Sequence, residues 1–385
     1  MKKLLIILLL FPIIIYCSAC SINKKQAEEQ KVVVSSQNDN TVTEFASETT
    51  DVWTPTFQLC WNELADLLKT DIVNFKDETP ELAKEFNKKK FTKNDLNEKD
   101  YYISVSKQTL KHKREIEKAI KQKFNEKSDI LGQFNFPNVR DDQTNLWFIY
   151  SILIKNFPFV SHFEVLKPDF FNNKEDVKYK YFGSMPEKKS KDFELLNSIT
   201  GLFYVNDNDF ALKIKDKTGE EEMILYLTNS DKSFDEIYSE IKEKAGKQEE
   251  YQQKRTEEIK AGYDYPVEVT YSNYYKYPYL EIDETLNFDK ELSEKVILAK
   301  DGTPFVIAKT IQTIKFKMNE EGAKLKSEAA ISVKATAMRP QIRKITVLNK
   351  YYFDRPFVIF LKEAGKDKPY FAARINDGKY LVKEK

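Results

Sequence analysis

Very few side chains of this protein could take part in acid–base, nucleophilic or metal-assisted catalysis. Its 385 residues include only two histidines, His112 and His162, and three cysteines. The sequence has no H-E-x-x-H motif and no pair of C-x-x-C motifs, the usual patterns of zinc sites. Phosphate-binding glycine loops and the G-x-S-x-G nucleophile motif are also absent. We therefore expect no catalytic residues, no metal site, no cofactor and no enzymatic activity.

Cys20 is the cysteine with a predictable chemical role. Lys2 and Lys3 precede an apolar run, Leu4–Tyr16, and small residues separate this run from Cys20. This order is typical of a secretory signal, and the small residues before the cysteine resemble the lipobox of bacterial lipoproteins. We expect removal of residues 1–19 and acylation of Cys20. The protein would then lie in the cell envelope, lipid-anchored on the extracytoplasmic side (cell surface or periplasm); an uncut membrane-anchoring helix and plain secretion are the alternatives.

The segment 20–51 has the composition of a lipidated, disordered tether. It is rich in Ser, Thr, Asn, Gln, Lys and Glu, and its apolar interruptions are Val32–Val34 and Phe45. Such a segment buries too little apolar surface to become ordered by itself. Thirty flexible residues reach roughly 30 Å, which is enough to hold a folded body clear of a lipid surface.

The remaining thiol and the two imidazoles have unremarkable surroundings in the sequence. Cys60 is the only cysteine after Cys20, so the folded body cannot form an internal disulfide. Its apolar neighbours favour a buried structural thiol over a reactive one. We expect His112, which lies among lysines, to be solvated, and His162, which lies between aromatic residues, to be structural.

The composition excludes nucleic acid as a partner. The chain has 62 basic and 61 acidic residues, which leaves no net field to attract nucleic acid. Hydrophobic residues make up 41% of the chain, with 27 Phe and 21 Tyr, so a sizeable core can form.

The periodicity of apolar residues predicts an α+β fold. Helical spacing occurs over 56–68 and 111–131, and Ser233 with Glu236 forms a capping-box pattern before a charged helix or helix pair that extends to Lys260. Continuous apolar runs predict strands buried on both faces at 146–154, 223–227 and 357–361. Alternating patterns predict half-buried strands at 267–271 and 314–318. Helices dominate the first part of the chain and strands the last.

A long segment between the last two predicted strands needs an explanation. From Ala323 to Ala337 the odd positions are apolar except for the small residue Ser327, and the even positions are polar except for Ala330. This is the pattern of a strand, but the lysines and the lack of aromatic residues also suit a segment that stays in water. One ordinary half-buried strand is the simplest interpretation of the pattern alone.

Three runs near the carboxyl end, in this order, resemble the last third of a serpin: Ile314–Gly322, Phe353–Leu361 and Tyr370–Asn376. Upstream, Trp53–Phe57 resembles the serpin segment that enters helix B. Asn145–Lys155 resembles the central strand of sheet A, and Leu202–Leu227 resembles the strands that follow it. The resemblance covers residues 52–376.

The resemblance implies three β-sheets, eight or nine helices and an exposed reactive centre loop at 320–345, with 377–385 as a C-terminal tail. It also implies inhibition of a serine protease, in which the cleaved loop inserts into sheet A as a new strand. The hinge would consist of Glu320, Glu321, Gly322, Ala323 and Leu325.

The family's spacing from the hinge glycine places the cleaved bond near Thr336–Ala337, and Met338 and Arg339 remain candidates. Pro340 follows Arg339 and disfavours a trypsin-like cut there. The expected partners are a serine protease and, through acylated Cys20, a lipid membrane, and we expect a monomer.

The chain also departs from the family pattern. Inhibitory serpins have a run of alanines after the hinge, where this chain has Lys324, Leu325, Lys326 and Glu328. Gln312 and Tyr150 occupy positions at which the family has His and Asn, and Phe157–Pro158 replaces a Trp. A non-inhibitory serpin-fold surface lipoprotein that binds a protein or small ligand is the alternative function, and an unrelated α+β envelope lipoprotein is a further one.

Overall fold

The computed structural model describes residues 44–46, 51–185, 193–322 and 343–384. These ranges contain seven α-helices, fewer than the eight or nine that the resemblance implies, so the expected number is corrected. The helices are α1 (Thr56–Leu67), α2 (Glu81–Asn87), α3 (Leu110–Phe124), α4 (Phe193–Asn197), α5 (Phe234–Ala245), α6 (Gln248–Ala261) and α7 (Asp289–Leu292). Within the same ranges, none of the helices combines the length and apolar character needed to cross a membrane.

The ends of the predicted helices follow local capping chemistry. Thr109 accepts a hydrogen bond from the His112 backbone N–H (3.3 Å) at the start of α3. This helix ends at Phe124, before the predicted residue 131, because Asn125 adopts a left-handed conformation with φ 58°. Ser233 and Glu236 form the predicted capping box of α5. The charged stretch that follows is a separate helix, α6, which has no buried residue.

The strands of the described ranges are mostly short. They are β1 (Val52–Trp53), β2 (Asn74–Phe75), β3 (Tyr101–Lys107), β4 (Trp147–Leu153), β5 (Glu164–Val165), β6 (Asp169–Phe171), β7 (Lys174–Tyr179), β8 (Tyr181–Ser184), β9 (Ile199–Asn206), β10 (Asp209–Lys215), β11 (Glu221–Leu227), β12 (Val267–Pro278), β13 (Leu280–Asn287), β14 (Val296–Leu298), β15 (Pro304–Val306), β16 (Ile311–Met318), β17 (Arg343–Tyr352), β18 (Phe357–Glu363) and β19 (Phe371–Ile375).

Two larger sheets form the centre of the body. The six-stranded sheet has the order β1-β19-β18-β11-β10-β9, and its two central strands, β11 and β18, are almost completely buried. The four-stranded sheet has the order β17-β12-β8-β5. In this sheet β17 runs parallel to β12 over ten residue pairs, from Val267↔Arg343 to Lys276↔Tyr352. Parallel neighbours need a long connection, and here the connection includes β13, β16 and residues 323–342.

The described ranges also contain a three-stranded sheet, β15-β14-β2, and three two-stranded sheets, one of which is β6-β7. β3 pairs with β4 and β13 pairs with β16, both antiparallel. In the described ranges no backbone ladder joins β4 to β16. Contrary to the sequence prediction, β4 is not buried on both faces: Phe148 and Tyr150 are buried, whereas the odd-numbered side chains are half-buried or exposed. One face of β4 packs on Ile116 and Ile120 of α3, whereas the other lies over α1 and lines part of a cavity.

Buried residues lie beyond both ends of the segment that resembles a serpin. Phe45 is buried with 1% of its surface exposed, so the body includes at least Glu44–Ala46 of the segment that we interpreted as a free tether. At the other end, Tyr380 and Leu381 are buried and the Val382 N–H donates to the Tyr279 carbonyl (3.0 Å). The residues after 376 are therefore part of the fold, because they complete the hydrogen bonding of β13 and its neighbours.

Candidate functional site

A cavity of about 1200 Å³ separates the two strand pairs. One wall is formed by eleven consecutive residues, Asn145–Lys155, which include all of β4, and the opposite wall by Thr303–Phe316, which includes most of β16. The floor comes largely from α1, through Phe57, Cys60, Trp61 and Leu64. We call this cavity the slot.

The facing edges of the slot have free strand-pairing capacity. Among the described residues, β4 pairs only with β3 and β16 only with β13. A strand edge that lacks a neighbour presents a row of unpaired N–H and C=O groups. The wall Asn145–Lys155 would be about 36 Å long at ~3.3 Å per residue. The length of this wall matches that of a strand of about eleven residues.

A hydrogen-bonded hub ties both walls to the start of α1. The Gln312 side-chain amide on β16 lies 2.9 Å from Thr54 Oγ1, 3.2 Å from the Thr54 carbonyl and 2.8 Å from Thr56 Oγ1. On the opposite wall, Ser151 Oγ donates to the Thr56 carbonyl (2.6 Å). We call Thr54, Thr56, Ser151 and Gln312 the hub. It fixes the two walls to a common support without pairing them to each other.

Tyr150 is not part of this hub, although its position in the sequence suggested an equivalent role. Adjacent strand residues point to opposite faces, and Tyr150 packs with Ile116 and Ile120 of α3. Burial raises the pKa of its hydroxyl to about 12. Ser151, the next residue, is the one that faces α1.

Cys60 lies at the floor of the slot. The thiol is hydrogen-bonded to Ser151, and burial raises its pKa to about 11. At neutral pH the group is therefore protonated, and its reactivity is low. The residue is half-buried rather than fully buried, because part of it borders the slot.

Gly322, the expected hinge glycine, follows β16 by four residues and packs on Phe157–Phe159. Gly322 has φ +71°, and its N–H donates to the Asn319 carbonyl (3.2 Å). A Cβ atom at this position would lie 2.6 Å from the Phe157 carbonyl oxygen and would also clash with the Phe159 N–H. Only glycine satisfies both the backbone conformation and this contact.

Glu320 and Glu321 form the turn before Gly322. The Glu320 carbonyl accepts a hydrogen bond from the Phe163 N–H (3.0 Å), and the Glu321 N–H donates to Asn319 Oδ1 (3.1 Å). Where the resemblance leads one to expect a Trp, Phe157 and Phe159 lie in a T-shaped arrangement with 6.0 Å between ring centroids. The turn Glu320–Gly322 is thus held by hydrogen bonds beside an aromatic pair.

Other predicted site residues lie outside the described residues. They are Ala323 and Leu325 of the hinge, the candidates Thr336, Ala337, Met338 and Arg339 for the cleaved bond, and Cys20.

A buried ion cluster lies near the hinge end of β4. The Lys155 ammonium is 2.7 Å from Asp100 and 2.6 Å from both Glu221 and Glu363. The three carboxylates are close enough to hold a metal ion, but the ammonium group is within hydrogen-bonding distance of all three. This cluster joins β4 to the six-stranded sheet. Sequence reasoning missed it because its members are far apart in the chain and no local spacing connects them.

The two histidines have the opposite of their expected environments. His112 is buried, and its Nε2 lies 2.7 Å from Ser104 Oγ on β3. Burial lowers its pKa. His162, in contrast, is exposed. The prediction for His112 failed because this residue lies on the face of α3 that also carries Ile116 and Ile120, which pack against the strands.

Comparisons with known proteins give similar structures but no sequence match. No family model matches the chain, and no curated protein matches it. The similar solved structures include tengpin, described as a thermophilic serpin in the native state, with 12% identity, coverage of 87% of this chain and 90% of that chain, and a TM-score of 0.41. Serpin48 of the insect Tenebrio molitor has 14% identity, coverage of 85% and 92%, and a TM-score of 0.36. A tumour-suppressing serpin has 13% identity, coverage of 69% and 65%, and a TM-score of 0.38. All three belong to the family that the sequence resembles.

Proposed function

We propose that this protein is a serpin-type inhibitor that traps a serine protease by inserting its cleaved loop into the slot. The observation that carries the proposal is the space between β4 and β16, whose lining extends to Lys155, together with the packing of Gly322 on Phe157–Phe159, two residues further along the chain. The segment that follows this glycine has the alternation of a strand. It is long enough to fill the slot, since twenty residues lie between Gly322 and Arg343.

The position of Gly322 suggests a register for the inserted strand. A chain that turns back at Gly322 runs antiparallel to both walls. Because Gly322 packs on Phe157–Phe159, an antiparallel strand would bring Ala329 beside Ser151 and Ile331 beside Ile149. Opposed residues of paired strands share a face, so the apolar odd positions would point towards α1. The lysines at even positions would lie on the other face.

Insertion would be driven by the free strand edges. Each new backbone hydrogen bond contributes about 1 kcal/mol net, so ten such bonds would contribute on the order of 10 kcal/mol. This is comparable to the whole stability of a typical domain. Burial of apolar side chains such as Leu325 and Ile331 would add to this value.

The chemistry of the trapping step belongs to the protease. Its serine oxygen attacks the carbonyl of the scissile bond near Thr336–Ala337 and forms an acyl bond to the amino-terminal part of the loop. The peptide nitrogen is released as a new amino terminus, and the carboxyl-terminal part that carries it stays in the body through β17, β18 and β19. If insertion is faster than hydrolysis of the acyl bond, the loop carries the protease with it. This chain contributes the strain, the hinge and the slot rather than a catalytic group.

A second candidate, a non-inhibitory serpin-fold lipoprotein that binds a ligand, is favoured by one feature. Lys324, Lys326 and Glu328 follow the hinge, and bulky charged residues there would slow insertion. The slot itself, with its apolar floor, would then be the ligand site. In both cases we propose that acylated Cys20 anchors the protein on the extracytoplasmic side of a membrane.

The decisive experiment mixes the protein with a panel of serine proteases. An inhibitor forms a complex that survives boiling in detergent, and cleavage of the loop raises its melting temperature sharply. Ala323→Arg places a charge on the inward side of the inserted strand and should convert the inhibitor into a substrate. Lys324→Arg, on the outward side, is the matched control and should inhibit normally. Cleavage without complex and without stabilisation would reject the inhibitory mechanism and leave the ligand-binding alternative, for which ligand-dependent melting is the test.

A further inference from the structure

The residues just before the folded body occupy a built site. Phe45 lies between the rings of Trp53, Tyr238 and Phe360, with centroid distances of 5.4, 5.7 and 6.1 Å. Asp235 Oδ1 accepts hydrogen bonds from the backbone N–H groups of Phe45 (2.8 Å) and Ala46 (3.2 Å).

The amine of Lys90 completes this site. It donates to the Ala46 carbonyl (3.1 Å), and it lies 3.3 Å from the Asp235 carboxylate and 3.4 Å from the Glu44 carboxylate. The Lys90 and Asp235 side chains are 12% and 8% exposed. We call Trp53, Lys90, Asp235, Tyr238 and Phe360 the Phe45 site.

The contacts define what this site recognises. One buried carboxylate accepts hydrogen bonds from two adjacent backbone amides of the docked segment, and one buried ammonium group donates to a carbonyl of the same segment. The side-chain contacts require an aromatic ring, preceded by an acidic residue. A short peptide of the type acidic–aromatic–small therefore fits, and Glu44–Ala46 supplies it within the same chain.

The docked segment lies next to the hub. Phe45 packs on Trp53, and the next residue, Thr54, provides two of the oxygens around the Gln312 amide. Trp53 belongs to β1, an edge strand whose ladder consists of two residue pairs. So short a strand is held weakly by its own ladder. The ring of Phe45, together with that of Phe91, therefore helps to hold Trp53 and with it the adjacent Thr54.

We propose that the Phe45 site is a peptide-docking site for the chain's own tether, and that its occupancy stabilises the hub and fixes the separation of the two walls of the slot. Release of the tether would loosen Trp53 and Thr54, weaken the contacts of Gln312 and let the walls move, so that the floor of the slot is exposed more often. The state of the amino-terminal segment is in this way coupled to the accessibility of the slot. The coupling is independent of whether the protein inhibits a protease.

The test uses the full mature chain and the thiol of Cys60, which lines the slot. Phe45→Ala removes the ring contacts with Trp53, Tyr238 and Phe360, and it should increase the labelling rate of Cys60 by a small thiol reagent about fivefold, the factor that corresponds to the loss of about one aromatic pair. Asp235→Asn should act in the same direction. Glu236→Gln, which removes only the α5 capping-box carboxylate, is the matched control and should leave the rate near the wild-type value.

A second measurement separates docking from a general loss of stability. A synthetic peptide of residues 41–50 should bind the Phe45→Ala chain in a fluorescence anisotropy assay and restore slow labelling, whereas the same peptide with Phe45→Ser should do neither. Failure of the peptide to bind would overturn the docking site. Binding without any effect on labelling would overturn the coupling to the slot. A labelling rate equal to the wild-type rate in the Phe45→Ala chain would also overturn it.

Discussion

Removal of the Gln312 amide tests whether the hub holds β16 in place. Gln312 is 6% exposed, and its side-chain nitrogen has three oxygen neighbours within 3.2 Å. An amide has two hydrogens, so at most two good hydrogen bonds form at once. At about 1 kcal/mol each, Gln312→Leu should lower the free energy of unfolding by about 2 kcal/mol. For a body of this size, that corresponds to a decrease of about 4 °C in the melting temperature.

The measurement is denaturant unfolding of the intact protein, with a double-mutant cycle against Thr56→Val. The two residues share a 2.8 Å contact, so we expect a coupling energy of about 1 kcal/mol. Lys317→Gln is the control on the same strand. Its ion pair with Glu281 is exposed, and such pairs contribute about 0–1 kcal/mol.

Two results would refute this reasoning. One is a Gln312→Leu protein as stable as the Lys317→Gln control. The other is strict additivity with Thr56→Val, which would mean that the amide does not depend on Thr56. The proposed insertion adds a kinetic expectation, because a loosened wall admits a strand more easily. After a cut in the loop, the Gln312→Leu protein should reach its thermally stabilised form faster than the control.

Three further predictions concern the hinge, α3 and the buried ion cluster. Gly322→Ala should destabilise the intact protein by at least about 1 kcal/mol, because residue 322 has a positive φ. The substitution should not destabilise the loop-cleaved protein if residue 322 becomes extended there. Melting curves of both forms, with and without the substitution, measure this difference. Burial lowers the pKa of His112, so folding favours the neutral imidazole. The contribution of His112 to the free energy of unfolding is therefore fully present above its unfolded pKa of about 6.5. It is lost as the pH falls through the lower pKa of the folded state. The wild type should therefore lose more stability than His112→Gln in unfolding titrations between pH 7 and 5, and equal slopes would contradict this. Lys155→Met should lower the free energy of unfolding by about 3–5 kcal/mol at pH 7, since three buried carboxylates lose their cation. Burial raises the pKa of Glu221, so this residue becomes protonated as the pH falls. Denaturant titrations should therefore show a smaller loss of stability at low pH.

The sequence predicted the elements of the slot but not the slot itself. The periodicity located α1, β4 and β16 to within a few residues, because their apolar patterns are local. β4 and β16 are more than 150 residues apart in the chain. No local sequence pattern can therefore predict whether these two strands pair with each other. Gln312 was identified as a departure from the family pattern, but its partners Thr54 and Thr56 were not, although two threonines around a proline just before a helix are a visible signal.

Errors of one residue had large consequences in strands and small ones in helices. Tyr150 was assigned to the position that Ser151 occupies in space, and a shift of one residue in a strand moves a side chain to the opposite face. Phe45 was dismissed because a single aromatic residue in a polar segment cannot order that segment alone. The site that binds it is assembled from Lys90, Asp235 and Phe360, so its existence could not be inferred from the tether.

The hub and the Phe45 site together suggest how an intact chain could keep a strand-sized space open. A free pair of strand edges would close if nothing held the walls at a distance, because pairing them directly would satisfy their backbone groups. In this protein each wall is instead bound to the start of α1, through Ser151 on one side and Gln312 on the other. The start of α1 is in turn positioned by β1 and the docked Phe45. Direct closure would break these contacts, whereas an inserted strand could satisfy both edges and leave them intact. The energy released by insertion would therefore come from backbone groups that the hub keeps unpaired until a loop of the right length becomes free.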